Sequence, residues 1–274
     1  MANIIAVYNF KGGVGKTSTT LSLAYSWSRA YKVLVIDCDP QSNLSQSLLD
    51  SEYDQKQHNL YELTSKFLHN SIPEINPIKI NPYLDLIQGD FRMTTLESNS
   101  QFISFGQTIT YGLLSTVRNK YDLILLDFPT HFGVTVKSFI ANIDSILIPA
   151  IPDSFSNAGF KQILTYLAEI EKDKPIDILG IFFNQYRKNT LYHRNIVQRA
   201  EEEFGNLILK QKIRESVRVS EAHQLSKSIY SITEESNVAE DFLKLSEEVI
   251  GRLNTYDVNT ALEKIEANQQ RLNH

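Results

Sequence analysis

Near the start of the chain an apolar run, Ile4-Ile5-Ala6-Val7, gives way to Lys11-Gly12-Gly13-Val14-Gly15-Lys16-Thr17, and a helix-compatible stretch carrying Leu21, Leu23 and Ala24 follows. A loop that wraps phosphate needs glycines so that its backbone N–H groups turn inward. It also needs a lysine for the β- and γ-phosphates and a hydroxyl for Mg²⁺. Gly12, Gly13, Gly15, Lys16 and Thr17 supply these, with Val14 and Ser18 beside them. The helix that begins near Gly15 adds the partial positive charge of its N-terminus. With glycine near about 7% of residues and lysine similar, a chance match to this pattern is on the order of one in ten thousand. An ordinary glycine-rich turn is therefore rejected.

Further apolar runs recur at Val33–Ile36, Leu84–Ile87, Leu123–Leu126, Ile146–Ile148 and Ile178–Phe183, most followed by helical pattern. Such a βαβα rhythm predicts an α/β fold with a mainly parallel, twisted sheet flanked by helices on both faces. Unbroken hydrophobicity in Leu123-Ile124-Leu125-Leu126 points to a strand buried on both sides. Ligands then belong at the carboxyl ends of the strands, where the glycine-rich loop, Asp37 and Asp39, and Asp127 all fall. From 51 to 110 the pattern is less regular and reads as surface loops and short helices. Beyond Asn237 the chain reads as helix through Leu253, with a last apolar stripe at Val258, Leu262 and Ile265. The whole chain, 1–274, is expected to form one domain with its C-terminal helices, about 238–272, packed on it.

A formal charge of −5 supplies no global field for nucleic acid, so contact with DNA requires a local basic patch. The single cysteine, Cys38, excludes an internal disulfide framework and reads as a packed strand-end residue between two aspartates. No apolar stretch reaches the roughly 18 to 20 residues of a membrane span and no signal segment is visible, which predicts a cytoplasmic protein. The first strand starts at about Asn3, so a preceding sequence-specific DNA-binding domain is not expected. The six histidines lack metal-ligand spacing, and His131 reads as a surface-loop residue.

The loop departs from Gly-x-x-x-x-Gly-Lys-Ser/Thr: Phe10 stands at the first glycine, and an extra lysine, Lys11, follows it. Together with Asp37-Cys38-Asp39-Pro40-Gln41 and Asp127-Phe128-Pro129, this deviant P-loop resembles the ParA/MinD family of dimerising ATPases, and most closely its ParA/Soj-type partition members. The likeness extends over Tyr121–Pro152 and Ile178–Leu253, including Arg214-Glu215-Ser216-Val217-Arg218-Val219-Ser220-Glu221-Ala222. The chain departs from it where Pro129 is followed by Thr130 and the family commonly has a second proline, where Ile213 directly precedes Arg214, and where His223 replaces a proline.

The resemblance implies a Mg²⁺-dependent, slow ATPase. Lys11 would reach across a homodimer to the partner's nucleotide, Lys16 would neutralise charge, and Asp39 would position the attacking water. Asp127 would hold Mg²⁺ through a water, with Thr17 as direct ligand and Asp37 in the lysine or metal surroundings. Asn184 matches a family position near the adenine base. Arg214, Arg218, Lys227 and Arg199 would hold DNA nonspecifically in the ATP-bound dimer, and a ParB-like centromere-binding protein or cargo adaptor would stimulate hydrolysis. The implied role is partition or positioning of a plasmid, chromosome or other cargo on the nucleoid. Two alternatives stay open, a MinD-like membrane-associated ATPase and a nucleotide-gated scaffold without significant hydrolysis. The mixed-charge tail Leu262–Leu272 lacks the basic amphipathic face of the first. Retention of Lys11, Lys16, Thr17 and Asp39 weighs against the second. An iron–sulfur reductase on this scaffold would need two cysteines, and a tyrosine autokinase a tyrosine cluster; Cys38 alone and Tyr256 alone exclude both.

Overall fold

A computed structural model describes residues 1–49, 59–152, 157–170, 175–225, 228–232 and 237–253. Among these residues seven strands form one sheet: β1 (Asn3–Val7), β2 (Val33–Asp37), β3 (Ile78–Asn81), β4 (Leu84–Ile87), β5 (Leu123–Asp127), β6 (Ser145–Ala150) and β7 (Asp177–Phe183). Their spatial order is β3-β4-β2-β5-β1-β6-β7. All pairings are parallel except β3 with β4. The parallel sheet expected from the apolar runs is therefore present, with an antiparallel edge strand that the reading of 51–110 as loops and short helices did not include.

Side chains alternate across each strand, and here the alternation feeds two separate cores. Ile4, Ala6, Leu34, Ile36, Ile124 and Leu126 face one; Ile5, Val7, Val33, Val35, Leu123 and Leu125 face the other. The first core is covered by α3 (Leu60–Leu68), α4 (Ser100–Arg118), α5 (Val134–Ile140), α6 (Asn157–Ile170) and α7 (Leu191–Phe204). The second is covered by α1 (Lys16–Trp27), α2 (Asn43–Leu49), α8 (Val217–Gln224), α9 (Ile229–Ile232) and α10 (Asn237–Ile250). The 19-residue α4 also replaces the short elements expected before residue 110.

α10 begins where the sequence places it and clasps the helix that leads from the glycine-rich loop. Ser26 and Ser246 hydroxyls lie 2.7 Å apart, and the Trp27 indole donates to the Ser246 carbonyl at 3.2 Å. The Tyr230 hydroxyl donates to the Ser22 carbonyl at 3.1 Å, so α1 is fixed from two later segments of the chain. Such buried, satisfied bonds make α1 a rigid platform for whatever its N-terminus holds. The expected apolar stripe at Val258–Ile265 lies outside the described residues.

Candidate nucleotide site

β1 and β5 run side by side with Val7 opposite Asp127, and β2 pairs with β5 so that Asp37 is also opposite Asp127. Three strand ends thus deliver the glycine-rich loop and two aspartates to one crevice, as expected from the motif order. The crevice opens into a cleft of about 750 Å³ whose walls include Gly13, Gly15, Lys16, Thr17, Ser18, Asp39, Pro129, Thr130 and Asn184. That volume suits a nucleotide-sized ligand.

The loop is curled by identifiable bonds. Gly15 caps α1 with φ 87°, a left-handed conformation that costs a residue with a Cβ about 1–2 kcal/mol. A Cβ there would also lie 2.2 Å from the Asn184 amide nitrogen. The closeness has a purpose: the buried Asn184 Nδ2 donates to the Val14 carbonyl at 2.9 Å. Gln185 Nε2 donates to the Gly13 carbonyl at 2.8 Å. Asn9 accepts from the Lys11 backbone N–H at 3.0 Å and donates to the Pro149 carbonyl at 2.8 Å. Asn184 therefore stands at the cleft, with its amide committed to the shape of the loop. Neither Gln185 nor Asn9 belongs to the glycine–lysine pattern, and only the folded chain brings Gln185 to Gly13.

The Lys16 ammonium donates to the Lys11 carbonyl at 3.3 Å and is buried, which lowers its pKa, while Asp127 and Asp39 oppose that shift. The Lys11 side chain is exposed and has no carboxylate partner among the described residues. The Thr17 hydroxyl donates to Asp127 Oδ2 at 2.8 Å, and Thr20, one turn later on the same face of α1, donates to Oδ1 at 3.3 Å. Burial pushes the Asp127 carboxyl up to about 8, the negative charge of Asp37 adds to this, and the Thr17 hydrogen bond pulls the other way.

Asp37 is also fully buried, and burial raises it to about 6. Its Oδ2 accepts from the Ser45 N–H at 2.8 Å and the Ser45 hydroxyl at 2.6 Å, and its Oδ1 from the Asp39 N–H at 3.1 Å. It thereby anchors the loop that carries Asp39 and the start of α2, and its carboxylate is engaged with that loop and not with Lys16. Asp39 lines the cleft and accepts from the Gln41 N–H at 2.9 Å. Cys38 is buried, and burial with the flanking aspartates holds its thiol well above the usual range, as suits a packing residue. His131 is exposed on the loop after Asp127.

Among the described residues no three His, Cys, Asp or Glu side chains group to hold a metal by themselves. A Mg²⁺ ion suits this arrangement, because it commonly takes one or two protein oxygens plus phosphate oxygens and waters. The Thr17 hydroxyl beside the Asp127 carboxylate, at the mouth of a loop shaped for phosphate, is such a donor set.

The residues expected to meet DNA are differently engaged. Arg214 makes a two-point pair with buried Asp241, at 2.7 and 2.8 Å, and lines the nucleotide cleft. Arg218 pairs with Glu221 at 2.9 Å on the exposed face of α8. Arg199 is exposed on α7, and Lys227 lies outside the described residues. Among the described residues no helix is long and apolar enough to cross a membrane.

A strand, a curled glycine loop, a helix that opens on Lys16 and Thr17, and an aspartate on an adjacent buried strand define a P-loop nucleoside-triphosphate-binding protein. A family model described as an AAA domain matches residues 2–179. A ParA family protein of Chlamydia trachomatis is 31% identical over 261 residues, covering 90% of this chain and 96% of that one. The chromosome-partitioning ATPase Soj of Treponema pallidum is 26% identical over 260 residues, covering 92% and 98%. The chain belongs to the ParA family of P-loop ATPases. The fold is shared with a putative plasmid partition protein of Borrelia burgdorferi bound to AMPPNP, at TM-score 0.74 and 20% identity, covering 92% of this chain and 98% of that one. It is shared equally with the cobyrinic acid a,c-diamide synthase of Mycobacterium smegmatis bound to ADP and magnesium, at TM-score 0.74 and 19% identity, covering 93% and 96%. At such identities the likeness is one of fold.

Proposed function

We propose that this chain binds Mg-ATP in the cleft, closes face to face on a second copy, and in that state holds DNA without sequence preference while it positions a cargo. The observation that carries this reading is the exposed Lys11 side chain beside a P-loop already assembled around Lys16, Thr17 and Asp127. Lys16 and the N-terminus of α1 hold the triphosphate, and Lys11 of each subunit reaches the nucleotide of the other. Bound Mg²⁺ would neutralise charge on the β- and γ-phosphates, held by Thr17 and, through water, by Asp127. Asp39, whose backbone is fixed by Asp37, orients the attacking water, and the lysines neutralise the charge that develops on the transferred group. Loss of the γ-phosphate removes the contacts that order the loops after Asp37 and Asp127, and the dimer opens. A partner protein of the ParB type, or another cargo adaptor, accelerates that step.

DNA contact then rests on Arg218 and Arg199. The exposed Arg218–Glu221 pair is worth about 0–1 kcal/mol, little enough for phosphate to displace the carboxylate. The relatives named for plasmid and chromosome partition support this reading. It is tested by binding to random-sequence duplex DNA at fixed low salt with ATP, with ADP and without nucleotide. Binding confined to the ATP state is expected, and Arg218→Glu should weaken it. Equal binding in all three states, or none in any, refutes the switch.

A further inference from the structure

The loop that follows Asp127 is part of the cleft: Phe128, Pro129 and Thr130 line it, and a Cβ on Gly12 would touch the Thr130 methyl at 3.5 Å. Its near end is fixed by Asp127 through Thr17 and Thr20. Its middle is fixed by Phe132, which packs against Tyr8 and Phe10 with ring centroids 5.7 and 5.2 Å away. Its far end is the N-terminus of α5, where Gly133 has no side chain to cap the free backbone N–H groups. Glu97, from the 3-10 helix Phe91–Ser98, caps them instead: one carboxylate oxygen accepts from Val134 N at 2.6 Å and the other from Thr135 N at 3.0 Å.

Gly133 makes room for that carboxylate. A Cβ there would lie 2.2, 2.5 and 2.6 Å from the three end atoms of Glu97. The base from which Glu97 reaches is itself fixed, since Met93 and Leu96 are buried and Asp90 caps the 3-10 helix by accepting from Arg92 N at 2.8 Å. Two charge-assisted bonds to the first turn of a short helix are a strong tether, and they hold the end of a loop whose other end carries Asp127.

Resting on the proposed ATPase reading, we infer that Glu97 is a positioning residue for hydrolysis: it holds the loop from Phe128 to Gly133 against the γ-phosphate side of the cleft without touching nucleotide. Glu97→Gln keeps the size of the side chain but replaces one acceptor oxygen with an amide that opposes an N–H. Its loss therefore falls on the loop and leaves the P-loop and its lysine in place. The test is steady-state phosphate release at saturating Mg²⁺, with KM for ATP and the melting temperature measured on the same samples. Glu97→Gln is expected to lower kcat by tenfold to a hundredfold, the range about 1 Å of misplacement produces, with KM within about twofold of the parent. Gly133→Ala, which leaves Glu97 intact and displaces it, is expected to give the same split.

In a Glu97→Ala background Gly133→Ala should add little, because the atoms it would strike are gone. A merely structural cap would lower the melting temperature while leaving kcat unchanged well below it, and that result overturns the inference. Parent protein that hydrolyses ATP while both variants retain parental kcat overturns the inference alone. Parent protein that neither binds nor hydrolyses ATP overturns the reading of the site and the inference with it.

Discussion

Replacing Asn184 with alanine removes the amide that holds the glycine loop from behind. Asn184 is 6% exposed, and its Nδ2 donates to the Val14 carbonyl at 2.9 Å across 170 residues of sequence. Leaving a buried carbonyl without its donor costs about 1–3 kcal/mol. If the loop relaxes only in the free protein, that energy appears as weaker ligand binding, roughly fivefold to 150-fold at 1.4 kcal/mol per decade. A base contact at Asn184 would also weaken ATP binding, so the ligand must separate the two effects. Tripolyphosphate has no base. Isothermal titration of parent and variant with Mg-ATP and with Mg-tripolyphosphate should show the same fractional loss for both. Gln185→Ala removes an exposed bond to Gly13 and should cost less, about 1 kcal/mol or under. A loss confined to ATP refutes the reasoning and makes Asn184 a base-recognising residue; unchanged affinity for both ligands refutes it entirely.

Asp127 is held protonated up to about 8 by burial, so between about pH 4 and 8 the folded protein binds more protons here than the unfolded chain. Its contribution is therefore greatest below the unfolded value and is lost as pH rises toward 8. Asp127→Asn should raise the melting temperature of the nucleotide-free protein more at pH 8 than at pH 5 while abolishing ATPase activity; an equal gain at both pH values contradicts the shift. Asp39→Ala should leave ATP affinity within a few-fold and trap the ATP-bound dimer, seen as a persistent dimer on gel filtration where the parent returns to monomer. Arg118→Ala removes the Nη2 group that reaches both oxygens of the buried Asp144 carboxylate, at 2.6 and 2.7 Å. At the opposite end of the strands from the cleft, it should cost about 2–3 kcal/mol, roughly 5–10 °C in melting temperature, with ATP affinity unchanged.

The sheet was legible because its strands are buried on both faces, and unbroken apolar runs such as Leu123–Leu126 admit few other readings. The strand Ile78–Asn81 was not, since it is a partly exposed edge strand that follows Pro77 and pairs antiparallel to its neighbour. α4 was obscured by exposed Ile103, Phe105 and Tyr111, which blur the period of its buried face, although Asn99 caps it in the way its residue type allows. Within the site, the convergence of the glycine loop, Asp37 and Asp127 on one crevice was readable, because each follows an apolar strand and the carboxyl ends of parallel strands share one edge of the sheet. Ser45, Gln185 and Glu97 were not: Ser45 binds the Asp37 side chain, Gln185 and Glu97 bind backbone far away in sequence, and a lone Ser, Gln or Glu has no spacing to betray it. The basic segment shows the reverse limit: the residue types were visible, but the pairing of Arg214 with Asp241 exists only in the fold.

The most direct test is sedimentation velocity of the parent protein and Lys11→Ala with Mg-ATP, with Mg-ADP and without nucleotide. The account predicts a dimer in the parent only with ATP, and a Lys11→Ala protein that binds ATP yet stays monomeric. A parent dimer of equal strength without nucleotide, or a Lys11→Ala protein that dimerises normally with ATP, would contradict the claim that the exposed lysine joins two nucleotide sites.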